Sequence, residues 1–271
     1  MIISNVLVLD PRMGHHHMLG VVQRARRERQ TIDSIRLQNL VLGRTLVHAL
    51  IQLLLPAPAN SLLLLRKSSE DAKNNNHHHW DTLEIQDCAH NEHLDTLMDF
   101  CHGQKLFRHL SMQAKPRDAI LRVAPPTTRF HRGLQELTIA NAYLSIRHAV
   151  RIRKLLESVF QLKTLRLIAI QLERCAIVQI AQGLEANTTL QTLDCQWMSS
   201  MDAYVMMHSV SGHSSIKEIK FTGDEIQDAG SAFLGRGLNN PCCPLTTLRL
   251  NGLGEFDFAP FTLSRIHIER G

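Results

Sequence analysis

Apolar positions in this chain recur as a spaced triplet, apolar-x-x-apolar-x-apolar, at a nearly fixed interval. Leu134, Leu137 and Ile139 form one copy. Leu162, Leu165 and Leu167 form the next, followed by Leu190, Leu193 and Cys195, by Ile216, Ile219 and Phe221, and by Leu245, Leu248 and Leu250. Their first positions lie 28, 28, 26 and 29 residues apart. Phe107, Leu110 and Met112, and before them Trp80, Leu83 and Ile85, extend the series backwards, each 27 residues before the next. The last two residues of a triplet are two apart and point to the same side of a strand, with the first at the turn leading in. Helical spacing follows each triplet: Ile146, Val150, Leu155 and Val159 before Leu162, then Cys175, Ile177, Val178, Ala181 and Leu184. Ala203, Met206, Met207 and Val210 repeat it, as do Ile226, Ala229, Phe233, Leu234 and Leu238.

A unit of this length cannot bury its own apolar face and must stack on its neighbours. The expected fold is an α/β solenoid, a curved horseshoe with parallel β-strands on the concave side and α-helices on the convex side. Its ends are less regular. Ile32, Ile35 and Leu37 fit the triplet and Leu42 to Leu55 reads as their helix, yet Trp80 comes 48 residues after Ile32. The excess, rich in Pro, Asn, Ser and charge, reads as a flexible insertion over 56–79. The Phe107 unit offers only a short helix, Arg117 to Val123, stopped by Pro125-Pro126. Leu263, Ile266 and Ile268 suggest a C-terminal edge strand. Residues 1–31 show no clear repeat and read as an irregular N-terminal cap, an incomplete repeat or a remnant, ahead of a repeat domain over 32–271.

With triplet, period and helix on the page, the chain resembles the leucine-rich repeat family, in its ribonuclease-inhibitor-like class. Gly183-Leu-Glu-Ala-Asn-Thr-Thr-Leu190-Gln-Thr-Leu193 matches that class's helix end and strand start. Gly237-Leu-Asn-Asn240 with Leu245-Thr-Thr-Leu248-Arg-Leu250 matches again around an inserted Pro241-Cys-Cys-Pro244. The resemblance spans residues 80–250 and departs at one position. Eight residues after the triplet start, where the family usually has Asn or Cys, this chain has Cys88 but also Ala142, Ile170, Met198, Asp224 and Leu253. The resemblance implies a protein-binding surface rather than an enzyme, and a protein interaction module or scaffold. The alternative it raises is a regulator of a small GTPase similar to Ran GTPase-activating proteins. Those carry an acidic C-terminal region, whereas this sequence ends Ser264-Arg-Ile-His-Ile-Glu-Arg-Gly271.

A length of 271 residues with 44% hydrophobic content sustains one continuous core, and 5% aromatics suits layers of Leu and Ile. The net charge of +5 permits an acidic partner without specifying one. No aromatic-and-basic signature marks an RNA-binding module, so nucleic acid is disfavoured as a partner. The opening Met1 to Asp10 makes a poor secretory signal, and no apolar run is long enough to span a bilayer. Six scattered cysteines form no disulfide framework. The expectation is a cytoplasmic protein with reduced thiols, in which the acceptor pattern Asn187-Thr-Thr189 goes unglycosylated.

Strand residues between the apolar positions face the concave side. Four after each triplet start stand Arg36, Glu84, Ser111, Thr138, Arg166, Asp194, Lys220, Arg249 and His267. Six after stand Gln38, Gln86, Gln113, Ala140, Ile168, Gln196, Thr222, Asn251 and Glu269. Such adjoining polar rows suit recognition by many small contacts. The expected partner-binding set is Glu84, Thr138, Arg166, Asp194, Gln196, Trp197, Lys220, Arg249 and Asn251, with Arg166, Arg249 and Trp197 the candidate hot spots. Cys88, His90, His93, Cys101 and His102 have ligand-type chemistry but match no zinc spacing, and read as core and surface. His15–His17 and His77–His79 read as incidental loop tracts. No dinucleotide, phosphate-loop, HExxH or nucleophile-elbow motif occurs. Asp224, Glu225 and Asp228 suit a helix start. No catalytic residue, metal or cofactor is expected.

Overall fold

The computed structural model describes residues 2–3, 5–27, 32–55, 80–88, 92–104, 106–113, 133–158, 161–210, 213–222, 244–251 and 267–270. Its centre is an eleven-stranded sheet. Strands β1 (Ile2–Ile3) and β2 (Val6–Leu9) pair antiparallel. Every later pairing in this sheet is parallel, through β3 (Ser34–Gln38), β4 (Trp80–Gln86), β5 (Phe107–Gln113) and β6 (Glu136–Ala140). It continues through β8 (Thr164–Ile168), β10 (Thr192–Gln196), β11 (Glu218–Thr222), β12 (Thr247–Asn251) and β13 (His267–Arg270). A second, two-stranded parallel sheet joins β7 (Tyr143–Leu144) to β9 (Gln171–Leu172). From β3 to β12 the triplets lie rung against rung: Ile35, Leu83, Leu110, Leu137, Leu165, Leu193, Ile219 and Leu248 form one buried row. Trp80 and Phe107 fill the first triplet position of two adjacent units, their rings 6.4 Å apart.

Helices α1 (His15–Arg27), α2 (Arg44–Leu54), α3 (Glu92–Gly103), α4 (Ile146–Ser158), α5 (Ala176–Ala186) and α6 (Ser200–Val210) follow strands in the expected alternation. Each turns an apolar stripe to the sheet, as Ala149, Ile152, Leu155 and Leu156 do on α4. Strands sit about 4.8 Å apart, whereas packed helices need roughly 8–10 Å. Alternating the two in one stack therefore favours a bend with the open sheet face inside.

Two backbone ladders run beside the sheet. At most strand entries one carbonyl receives two N–H groups from the next unit, as Lys163 O does from Gln191 (2.8 Å) and Thr192 (2.9 Å). At the exit, the residue seven after the triplet start is left-handed in Asn39, Asp87, Asn141, Ala169 and Trp197. That turn aims its N–H at the next strand: Asn39 to Gln86 O, Asp87 to Gln113 O, Asn141 to Ile168 O, Ala169 to Gln196 O and Trp197 to Thr222 O, at 2.6–2.8 Å. The next position is buried and largely apolar, with Leu40, Cys88, Ala142 and Ile170. A main-chain ladder thus satisfies polar groups at these turns, and the departure from Asn leaves this edge hydrogen-bonded.

Contacts between units also tie the helical layer. Asn187 lies three residues before its triplet and is 4% exposed. Its Nδ2 donates to Leu156 O (2.7 Å), and its Oδ1 accepts from the N–H groups of Thr189 and Leu190. The amide that would carry a glycan is therefore committed to the interior. His213 holds the same place in the next unit, where its Nδ1 accepts from the Ser215 N–H at 3.2 Å. Glu173, just after β9, reaches back to accept the Ile146 N–H at 2.7 Å and so caps the preceding unit's helix. A Cβ on Gly183 would stand 2.8 Å from the Arg153 Cα, so α4 and α5 approach as closely as backbones allow.

Several expectations are refined. Val6–Leu9 and α1 make a strand and helix in the order of the repeats, with Leu7 and Leu9 opposite Ile35 and Leu37. His15–His17 occupy the first turn of α1 rather than a loop. A C-terminal strand does pair with β12, but two residues from the expected register: Arg249 faces Glu269, and His267 faces Thr247. The insertion at 56–79, the helices expected over 117–123 and 226–238, His77–His79, His90 and the acidic cluster Asp224, Glu225 and Asp228 lie outside the described residues. No described helix is long and apolar enough to cross a membrane.

Candidate functional site

Alternation along each strand sends positions three and five after the triplet start into the core and positions two, four and six onto the open face. Burial follows that rule: in β8, Leu165 and Leu167 are fully buried while Thr164, Arg166 and Ile168 are partly exposed. The parallel register then sets like positions side by side. Thr138, Arg166, Asp194, Lys220 and Arg249 form five successive rungs. Gln196, Thr222 and Asn251 form the next row. Glu84 belongs to the same row as Arg166 but lies nearer the N-terminal end, opposite Arg36 and Ser111. Trp197 stands just beyond Gln196, at the exit edge, 57% exposed.

Charges on this face are mostly paired with one another. Arg36 Nε meets Glu84 Oε2 at 2.5 Å, and this bond holds the guanidinium pKa above its ordinary value. Arg166 Nη1 bonds Glu136 diagonally across β6 and β8. Lys220 Nζ lies 3.9 Å from Asp194 Oδ2, and Arg249 Nε 3.4 Å from Glu218 Oε1. Asp194, 7% exposed between the rungs of Arg166 and Lys220, accepts from Gln196 Nε2 at 2.9 and 3.0 Å. Exposed pairs of this kind are each worth about 0–1 kcal/mol. They fix side-chain orientation more than they stabilise the fold.

Glu136 and Glu218, which hold the two arginines, escaped the sequence reading. They stand two after the triplet start, in the -x-x- spacer. Counting the strand alternation back one further position would have found them, together with His109, whose Nδ1 lies 3.9 Å from Asp81 Oδ2.

No family model and no curated protein matches this sequence.

The thiols with metal-ligand chemistry sit in the core. Cys88 Sγ donates to Leu37 O at 3.4 Å, and burial pushes its pKa up to about 11. Burial raises the Cys101 pKa further, and Cys195, a triplet residue, behaves alike. All three are protonated at neutral pH and poor ligands in that form. Among the described residues no three His, Cys, Asp or Glu side chains converge as a metal site.

Proposed function

We propose that this chain is a leucine-rich repeat protein of the ribonuclease-inhibitor-like class, acting as an interaction module or scaffold that binds a protein partner across the open sheet face. The single observation that carries the reading is that face itself. Adjoining strands present ordered, partly exposed and mostly polar rows, while the apolar triplets lie on the opposite side against the helices. Repeated strands give a wide, stiff platform on which side chains change without disturbing the core, which suits recognition by many small contacts. Arg166 and Arg249 keep 41% and 42% side-chain exposure although each has an acidic neighbour. They are oriented rather than consumed. The proposed contact set is Glu84, Thr138, Arg166, Asp194, Gln196, Trp197, Lys220, Arg249 and Asn251.

The test is affinity capture with the parent chain and an Arg166→Glu, Arg249→Glu double variant whose circular dichroism matches the parent. Proteins retained by the parent and lost by the variant support the reading. Identical retention on both removes the open face as the binding surface.

A further inference from the structure

Trp197 is placed against two local preferences. Its φ is +56°, in a region that bulky L-residues rarely adopt, and at the equivalent strand exits the chain has Asn39, Asp87 and Asn141, which tolerate it, and the small Ala169. The large ring is also 57% exposed, and Met201, four residues on, is 69% exposed. An aromatic held in a strained turn with over half its surface in water contributes little apolar burial to the fold. Such outliers point to function.

The surroundings indicate what would cover it. Ile168 and Ala169, on the neighbouring strand β8 and its exit, are partly exposed and extend an apolar edge beside Gln196 and Trp197. Away from that edge the face over β8 to β11 turns basic. Lys163 and Lys217 are exposed at the strand entries, and Arg166 and Lys220 follow on the sheet, against Glu136, Asp194 and Glu218. Asp194 is almost wholly buried, bonded to Gln196 and 3.9 Å from Lys220 Nζ, which leaves the lysines at the strand entries as the most exposed cations here. The described bond of Arg166 uses only Nη1, leaving the rest of the guanidinium fork for a carboxylate.

Resting on the reading of the open face as a binding surface, we propose that β8 to β11 with Trp197 form a subsite for an extended acidic segment of a partner protein. An apolar side chain of that segment covers Trp197 and Ile168, while its carboxylates meet Arg166, Lys220 and the lysines at the strand entries. Trp and Arg at the centre of a desolvated contact are the residues that dominate binding energy.

A phage-displayed random dodecapeptide library, panned on the intact chain, tests this. Peptides that alternate acidic and large apolar residues should be enriched. Their binding should fall at least about tenfold, or roughly 1.4 kcal/mol, in Trp197→Asn and in Arg166→Glu. Trp197→Asn replaces the ring by a residue suited to the turn, so its Tm should equal or exceed that of the parent and loss of binding cannot be ascribed to unfolding. A basic or featureless consensus, or unchanged binding in both variants, overturns the subsite. A Glu84→Lys variant separates the two levels of argument. Enrichment that depends on Glu84 and not on Trp197 or Arg166 overturns the subsite and keeps the open face. Enrichment that depends on none of the three overturns both.

Discussion

At the scale of single residues, His213 is a buried side chain whose hydrogen bond depends on its protonation state. Its Nδ1 accepts the Ser215 N–H, which requires a neutral ring, and Ser215 Oγ in turn donates to Leu190 O at 2.8 Å. Burial lowers its pKa below the ordinary histidine value, while the carbonyls of Leu184 and Asn187 act in the opposite sense. The unfolded chain therefore binds a proton at a higher pH than the folded one. This contribution to stability is complete above the unfolded pKa of about 6.5 and is lost as pH falls below it towards the folded value. Urea midpoints at pH 7.5 and 5.5 should differ more for the parent than for His213→Asn, which copies the neutral solution used at Asn187. Equal differences would remove His213 as the cause. Trp197→Asn should raise stability by up to about 1 kcal/mol in the same assay, because Asn relieves the left-handed strain. Most of the open face was legible at this scale because a period of two fixes which residues look outward. The pairing among them was not legible, since whether Arg166 turns to Glu136 or to Asp194 depends on diagonal distances that no one-dimensional spacing encodes.

The elements owe their precision to contacts made between units. Glu173→Ala should cost about 1 kcal/mol, the usual value of a lost N-terminal cap, and hydrogen exchange should quicken at the start of α4 rather than in α5. Gly183→Ala should destabilise by about 1–3 kcal/mol in chemical denaturation, because the new methyl meets the Arg153 backbone and the two helices must part. The sequence marks Gly183 only as part of a helix-end pattern and does not single out Glu173, since both act on the unit before their own. The strand Val6–Leu9 was hidden for a simpler reason: the first triplet position falls on Ser4, so the template breaks although Leu7 and Leu9 keep its remainder. At the other end, a two-residue shift leaves the same faces in and out. Alternation alone cannot choose between registers for Ile268, and the pairing of β13 with β12 decides it.

For the whole molecule, stability is shared among neighbours and fades with distance along the stack. Leu193→Ala, at a fully buried position on β10, should cost about 2–5 kcal/mol. Amide exchange should then accelerate in β8, β10 and β11 well before β2 and β3. Uniform acceleration throughout would mean that the stack unfolds as one block. The architecture was the most legible level because a repeated apolar spacing specifies it many times over. The separation between strands is a different matter. β3 and β4 pair rung for rung although their triplets begin 48 residues apart, and β10 and β11 do the same across 26. Each doubling of a connection costs only about 0.6 kcal/mol. Sequence inserted between strands can therefore lengthen and diversify while the paired rungs keep their spacing, so such connections can change without retuning the platform.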